Sequence, residues 1–106
     1  LALNRLAVGT LEVRICDLLA RPPEALGFAP DLVLAGDIFY DRDLTERGLP
    51  WLRALAARGA RVLVGDPGRN YTPREGLHEI ASYDVPTSRE IESQTLRRTS
   101  VLELPP

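Results

Sequence analysis

The apolar positions of this chain change period along its length, and the changes mark out alternating helices and strands. Residues 1 to 9 read as the end of a helix, with Leu3, Leu6 and Ala7 at helical spacing and Gly9 placed to stop it. In Leu11 to Asp17 the apolar Leu11, Val13 and Ile15 alternate with Glu12 and Arg14, which predicts a strand near a sheet edge with one face partly exposed. After a linker holding Pro22 and Pro23, Leu32-Val33-Leu34-Ala35 is apolar without alternation, as expected of a parallel strand with helices on both faces. Arg61 to Gly65 repeats that pattern through Val62-Leu63-Val64.

Between those two runs, Leu44, Trp51, Leu52 and Leu55 at helical spacing predict a helix that Gly59 stops. Pro50 either bends this helix from within or lies in its first turn, with the start near Leu49. Thr72-Pro73-Arg74-Glu75 has the form of a capping box with proline at the first helical position, so a further helix is predicted there, burying Leu77, Ile80 and Ala81. Tyr83 to Arg89 and Thr95 to Leu104 read as a closing pair of strands. The order predicts an α/β domain, a mostly parallel sheet with an antiparallel strand pair at its end, and it begins in mid-pattern.

Composition sharpens this picture in three places. The chain has 106 residues, opens on Leu1 and contains no Met, so it is expected to be a fragment of a longer reading frame. No apolar run approaches the roughly 20 residues that span a bilayer, and no signal-peptide pattern is visible, so a soluble cytoplasmic setting with no membrane partner is expected. A net charge of -2, with acids and bases evenly scattered, disfavours nucleic acid as a partner. All 13 basic residues are Arg, so no mechanism within this chain can use a lysine. Cys16 is the only cysteine and can form no internal disulfide; its alternating apolar setting suits an inert buried thiol, and no metal site is expected.

The chemistry is expected at three aspartates that end successive strands, in Ile15-Cys16-Asp17, Ala35-Gly36-Asp37 and Val64-Gly65-Asp66. Ligands of open parallel sheets bind outside the carboxyl ends of the strands, so the three carboxylates are expected along one rim. Taken singly, each is explained as well by the use of Asp in turns; the repetition favours a site. Lone His78 reads as a surface residue and Trp51 as core. A phospho-receiver domain needs a lysine that is absent, and Mg²⁺-dependent phosphoryl transfer lacks a glycine-rich phosphate loop.

Asp37-Ile38-Phe39-Tyr40 and Asp66-Pro67-Gly68-Arg69, within the stretch from Asp31 to Tyr71, resemble class I S-adenosyl-L-methionine-dependent methyltransferases. More closely, that stretch is similar to the electron-transfer flavoprotein beta-subunit lysine methyltransferases and their bacterial relatives, in a larger group with nicotinamide N-methyltransferase-like enzymes and protein N-terminal and lysine methylases. The resemblance implies a Rossmann-like sheet of which this chain holds the carboxyl-terminal part. The glycine-rich turn that holds the methionine part of the cofactor, and the acidic strand end that binds its ribose, belong to an amino-terminal half not contained in this sequence.

The resemblance further implies a role for each matching residue. Cys16, Asp17 and Leu18 line the adenine pocket, with Asp17 accepting from the exocyclic amine. Asp37 and Tyr40 form an Asp-x-x-Tyr motif beside the sulfonium and the acceptor amine, as the catalytic candidates, with Asp37 also on the cofactor side. Phe39, Asp66 and Arg69 fall on the substrate side, where Phe39 serves equally well as core and the loop of Asp66 and Arg69 as structure. A protein lysine is the implied acceptor and the electron-transfer flavoprotein beta subunit a candidate partner. A nicotinamide-type acceptor, and a chain inactive without its other half, are the alternatives.

Overall fold

The computed structural model describes residues 17–87 and 95–106. Four strands, β1 (Leu32–Gly36), β2 (Arg61–Asp66), β3 (His78–Thr87) and β4 (Thr95–Leu104), form one sheet in the order β1-β2-β4-β3. Helix α1 (Arg42–Ala57) connects β1 to β2, and short 3₁₀ turns at Leu18–Ala20 and Pro23–Leu26 precede β1. β1 pairs with β2 in parallel, with Leu32 opposite Arg61 and Gly36 opposite Gly65. β4 is antiparallel to both neighbours, so β1, β2 and β3 run one way and β4 alone runs against them. The α/β class is as expected, but the sheet is mixed: of the pairings between neighbouring strands described, only that of β1 with β2 is parallel.

The core lies on one face of the sheet. Val62 and Val64 of β2, Leu102 and Leu104 of β4, Phe39 after β1 and Ala60 before β2 meet Leu52, Leu55 and Ala56 of α1. Strand geometry sends alternate side chains to opposite faces, so Val33 and Ala35 pack against this cluster while Leu34 is 71% exposed on the other face. The expectation that helices cover both faces of β1 is therefore corrected for the described residues: α1 covers one.

Helix α1 begins where Asp41 accepts a hydrogen bond from the Leu44 amide at 2.7 Å, an N-cap. It ends where Gly59 adopts a φ of 104°, which a side chain would strain. Pro50 is inside the helix and exposed, which settles the alternative of a start near Leu49. It leaves the Glu46 carbonyl without its i+4 donor. Replacing Pro50 with alanine is expected to raise stability by about 2 kcal/mol, a helix-interior penalty of roughly 3 kcal/mol reduced by the entropy that proline removes from the unfolded chain. A urea midpoint that stays put or falls would contradict this account. Trp51 is partly buried against the core, and its indole N–H donates to the Arg21 carbonyl at 2.8 Å, fastening the 3₁₀ segment to α1.

One predicted helix is absent. Residues 67–77 form a loop and His78–Thr87 a strand, where the sequence pattern placed a helix from Thr72 through Ala81. The capping residue is used elsewhere, because the Thr72 hydroxyl bonds to Asp66, and Gly76 at a φ of 77° turns the chain away from helix. Ladder pairing of Ala81 with Val101 and Tyr83 with Thr99 then takes over, with an irregularity between Glu79 and Ala81. β3 thus starts five residues before the predicted strand at Tyr83, whose end at Arg89 lies outside the described residues. β4 has the predicted bounds, and His78, now on a strand, is exposed as expected. The helix predicted at residues 1 to 9 and all but Asp17 of the strand predicted at 11 to 17 lie outside the described residues, and with them Cys16. No described helix is long and apolar enough to cross a membrane.

Candidate functional site

Because β1 and β2 are parallel and in register at Gly36 and Gly65, the loops that follow them leave the sheet side by side. The Asp37 amide donates to the Gly65 carbonyl at 2.8 Å, and Asp37 takes a φ of 50°, the only positive value outside glycine among the described residues. Asp tolerates this left-handed region better than most residues. The turn directs the carboxylate across to the loop after β2.

There it meets Arg69. The guanidinium donates from Nε to one Asp37 oxygen at 2.9 Å and from Nη2 to the other at 2.7 Å, a bidentate charge-assisted pair. The same guanidinium stacks over the Tyr40 ring, 5.2 Å from its centroid. Asp37, Arg69 and Tyr40 thus form one contiguous unit, with Tyr40 61% exposed and the two charged groups half-buried. The hydrogen bond from Arg69 holds the Asp37 carboxyl below the usual carboxylate range, opposed by partial burial and assisted by the charges of Arg69 and Arg97. In return, the hydrogen bond to Asp37 raises Arg69 above its ordinary value against the effect of burial, and the charges of Asp37, Tyr40 and Asp66 add to the rise.

Asp66, at the end of β2, is 3% exposed and braces the loop from beneath. Its carboxylate accepts the Thr72 hydroxyl, with oxygens at 2.9 and 3.0 Å, and the Gly68 amide at 3.3 Å. The Thr72 oxygen accepts the Arg69 amide at 3.1 Å, and Arg97 on β4 donates to the Pro67 carbonyl at 3.0 Å. Among the described residues no buried side-chain polar atom lacks a partner.

Two of the three strand-end carboxylates are therefore gathered at one site through Arg69 and Thr72. Asp17 is tied elsewhere: its oxygen is 3.5 Å from Arg47 of α1, and both side chains are exposed. With Leu18 and Trp51 it lines a cavity of about 330 Å³. Phe39 is wholly buried in the core, which is the second of its two expected roles, and Tyr40 is the aromatic residue that reaches the site surface. The sequence pattern did not single out Thr72 or Tyr71 for this site. Tyr71 is 42% exposed with the Arg42 guanidinium 6.0 Å from its ring centroid; an aromatic beside the Arg69 loop was the available signal. The signal at Thr72 was hidden by its match to a helix cap.

Chemically, the unit is a preformed anion backed by a cation and an aromatic face. A carboxylate held well ionised is a weak base and a good partner for a cationic or hydrogen-bond-donating nitrogen. Arg69 uses two of the roughly four acceptor positions of the carboxylate, which leaves others for an incoming donor.

Comparison with known proteins gives relatives of one kind. Over 81 residues, covering 72% of this chain, it is 35% identical to the electron transfer flavoprotein beta subunit lysine methyltransferase of Rattus norvegicus, of which it covers 32%. The proteins of the same name from Danio rerio and Homo sapiens are 37% and 36% identical over 76 residues, 67% of this chain and 30% and 29% of theirs. The chain thus spans about a third of the length of the curated relatives it matches. No protein-family model and no solved structure gives a significant match. Over the shared stretch, the chain is a homologue of the proteins named electron transfer flavoprotein beta subunit lysine methyltransferase.

Proposed function

We propose that this chain is the carboxyl-terminal half of a Rossmann-like, S-adenosyl-L-methionine-dependent N-methyltransferase domain whose acceptor is a protein lysine. The observation that carries the reading is the Asp37 carboxylate, held ionised by Arg69 beside the exposed Tyr40 ring at the carboxyl ends of two parallel strands. It lies in a chain homologous to lysine methyltransferases. The single reversed strand β4, last in the chain and between β2 and β3 in the sheet, also suits the antiparallel strand near the end of such sheets. The electron-transfer flavoprotein beta subunit is the first substrate to try, on the names of the relatives.

The residues fit the adenine end of the cofactor. Asp17 is exposed and keeps acceptor capacity beyond its long contact to Arg47, and Leu18 and Trp51 supply apolar surface to the same cavity. These residues would hold the base. When bound, the cofactor supplies a methyl group activated by its sulfonium, so the protein's task is chiefly alignment.

The chain's own groups then act on the acceptor. A lysine amine, with a reference pKa of about 10.4, must shed a proton before it attacks. Asp37, kept ionised by Arg69, is too weak a base to take that proton and instead orients the nitrogen by accepting its N–H. The proton passes to solvent. Tyr40 and its neighbour Arg69 wall the approach on one side.

The test is direct. The protein, extended upstream to its natural start, is incubated with methyl-labelled S-adenosylmethionine and either purified electron-transfer flavoprotein or nicotinamide. Label in the flavoprotein beta subunit that survives acid hydrolysis as methyl-lysine is the expected result. Label in nicotinamide alone would replace the protein acceptor with a small molecule, and absence of both transfer and calorimetric cofactor binding would overturn the methyltransferase reading.

A further inference from the structure

We propose that Arg69 is a positioning residue with two separable tasks: its fork fixes the orientation of Asp37 against Tyr40, and its charge balances Asp37 so that an acceptor amine beside them is not trapped as ammonium. The second task rests on the methyl-transfer reading; the first stands on the geometry alone.

The geometry for the first task is a chain of contacts running up from the sheet. Buried Asp66 holds Thr72, the Thr72 oxygen receives the Arg69 amide, and the Arg69 side chain grips both oxygens of Asp37 while covering the Tyr40 ring. Asp37 and Tyr40 lie on one short turn, with Asp37 half-buried and Tyr40 largely in solvent. Without the fork, the carboxylate regains its rotamers and the ring loses the cation that stacks on it. A planar two-point donor restrains a carboxylate in a way that a lysine ammonium, a point charge, does not.

The second task follows from charge. A carboxylate alone would stabilise a protonated amine and raise its pKa, whereas a cation beside it acts in the opposite sense. Among the described residues, the charged and titratable groups around Asp37 are Arg69 from the loop after β2, Arg97 from β4, and Tyr40 from its own turn, with Asp66 beyond Arg69. Among the described residues Arg69 alone of the bases is in direct hydrogen-bond contact with Asp37, so its removal leaves Asp37 largely unbalanced. The site then favours the unreactive ammonium.

Two variants separate the tasks in the upstream-extended protein, Arg69→Gln, which removes the charge, and Arg69→Lys, which keeps the charge and loses the fork. The Asp37 carboxyl is titrated by carbon-detected NMR, and kcat and KM for the labelled-methyl assay are followed against pH. In Arg69→Gln the Asp37 titration should move up, and the acid limb of kcat should shift to higher pH by about one unit, the lower end of what a neighbouring charge does to a pKa. KM for the amine substrate should not rise, since the ammonium form is still bound. In Arg69→Lys the acid limb should stay in place while kcat falls by about tenfold, within the range that misplacement of a reacting group can cost.

Wild-type Asp37 titration and an unmoved kcat profile in Arg69→Gln would overturn the proposal while leaving methyl transfer standing. Loss of the same size in both variants with no change of pH profile would also overturn it, as a merely structural role for Arg69 does. A shifted Asp37 titration in a protein that transfers no methyl group would support the positioning of Asp37 and sink the methyl-transfer reading and the charge-balancing task with it.

Discussion

Asp37→Asn is expected to lower kcat for methyl transfer by about 10²-fold or more, the scale of loss when a reacting group is no longer held in line. Asparagine is nearly the same size and shares with Asp a tolerance of the left-handed backbone that Asp37 adopts at a φ of 50°, so the turn should persist. Two things are lost. The amide offers one oxygen where Arg69 now has two, so the bidentate grip is broken. The anion that orients the acceptor nitrogen is gone as well, and Arg69 then faces the substrate as an uncompensated cation. Cofactor affinity, measured by calorimetry, should stay within about threefold, less than the 1.4 kcal/mol that a tenfold change represents. Loss of cofactor affinity with the rate would give Asp37 the cofactor-side role that the resemblance also implies, and unchanged transfer would remove it from the site.

The features that were readable in advance are those written in local pattern. The runs at Leu32 to Ala35 and Val62 to Val64, and the Gly-Asp pairs that follow them, are short, strongly apolar and sharply bounded, so both strands and the rim they share could be placed from sequence. Other features depended on which of two local preferences prevailed. Thr72 has the chemistry of a helix cap and equally that of a loop brace, and the buried carboxylate of Asp66, distant in the sheet, decides between them. Once Thr72 is taken, Leu77, Ile80 and Ala81 lose their helix; Leu77 stays in the loop and Ile80 and Ala81 enter β3. The grip of Arg69 on Asp37 joins residues 32 apart in sequence, and no periodicity encodes it. The motif resemblance placed both at one site without pairing them. Asp17 shows the opposite limit: the repetition of strand-end acids grouped it with Asp37 and Asp66, yet its charge partner is on α1.

Phe39 carries the other large expected effect, and it tests how the Asp-x-x-Tyr turn is held. Its side chain is completely buried between the sheet and α1, among Leu52, Leu55, Val62 and Val64, while Asp37 and Tyr40 on either side reach the surface. The ring is thus the peg that seats the turn on the core. Truncation to alanine should cost about 3 to 5 kcal/mol, the usual range for emptying an aromatic site in a packed interior. That is a large share of the 5 to 15 kcal/mol by which domains are typically stable. Phe39→Leu keeps most of the apolar volume and should cost about 1 to 1.5 kcal/mol. Read by urea unfolding and by methyl transfer per folded molecule, Phe39→Leu should unfold earlier and transfer at a rate within about threefold of wild type, because the peg is smaller but the turn is still seated. A substrate-lining ring would give the reverse pattern, with an unchanged unfolding midpoint and transfer reduced by tenfold or more, and that outcome would return Phe39 to the substrate side of the site.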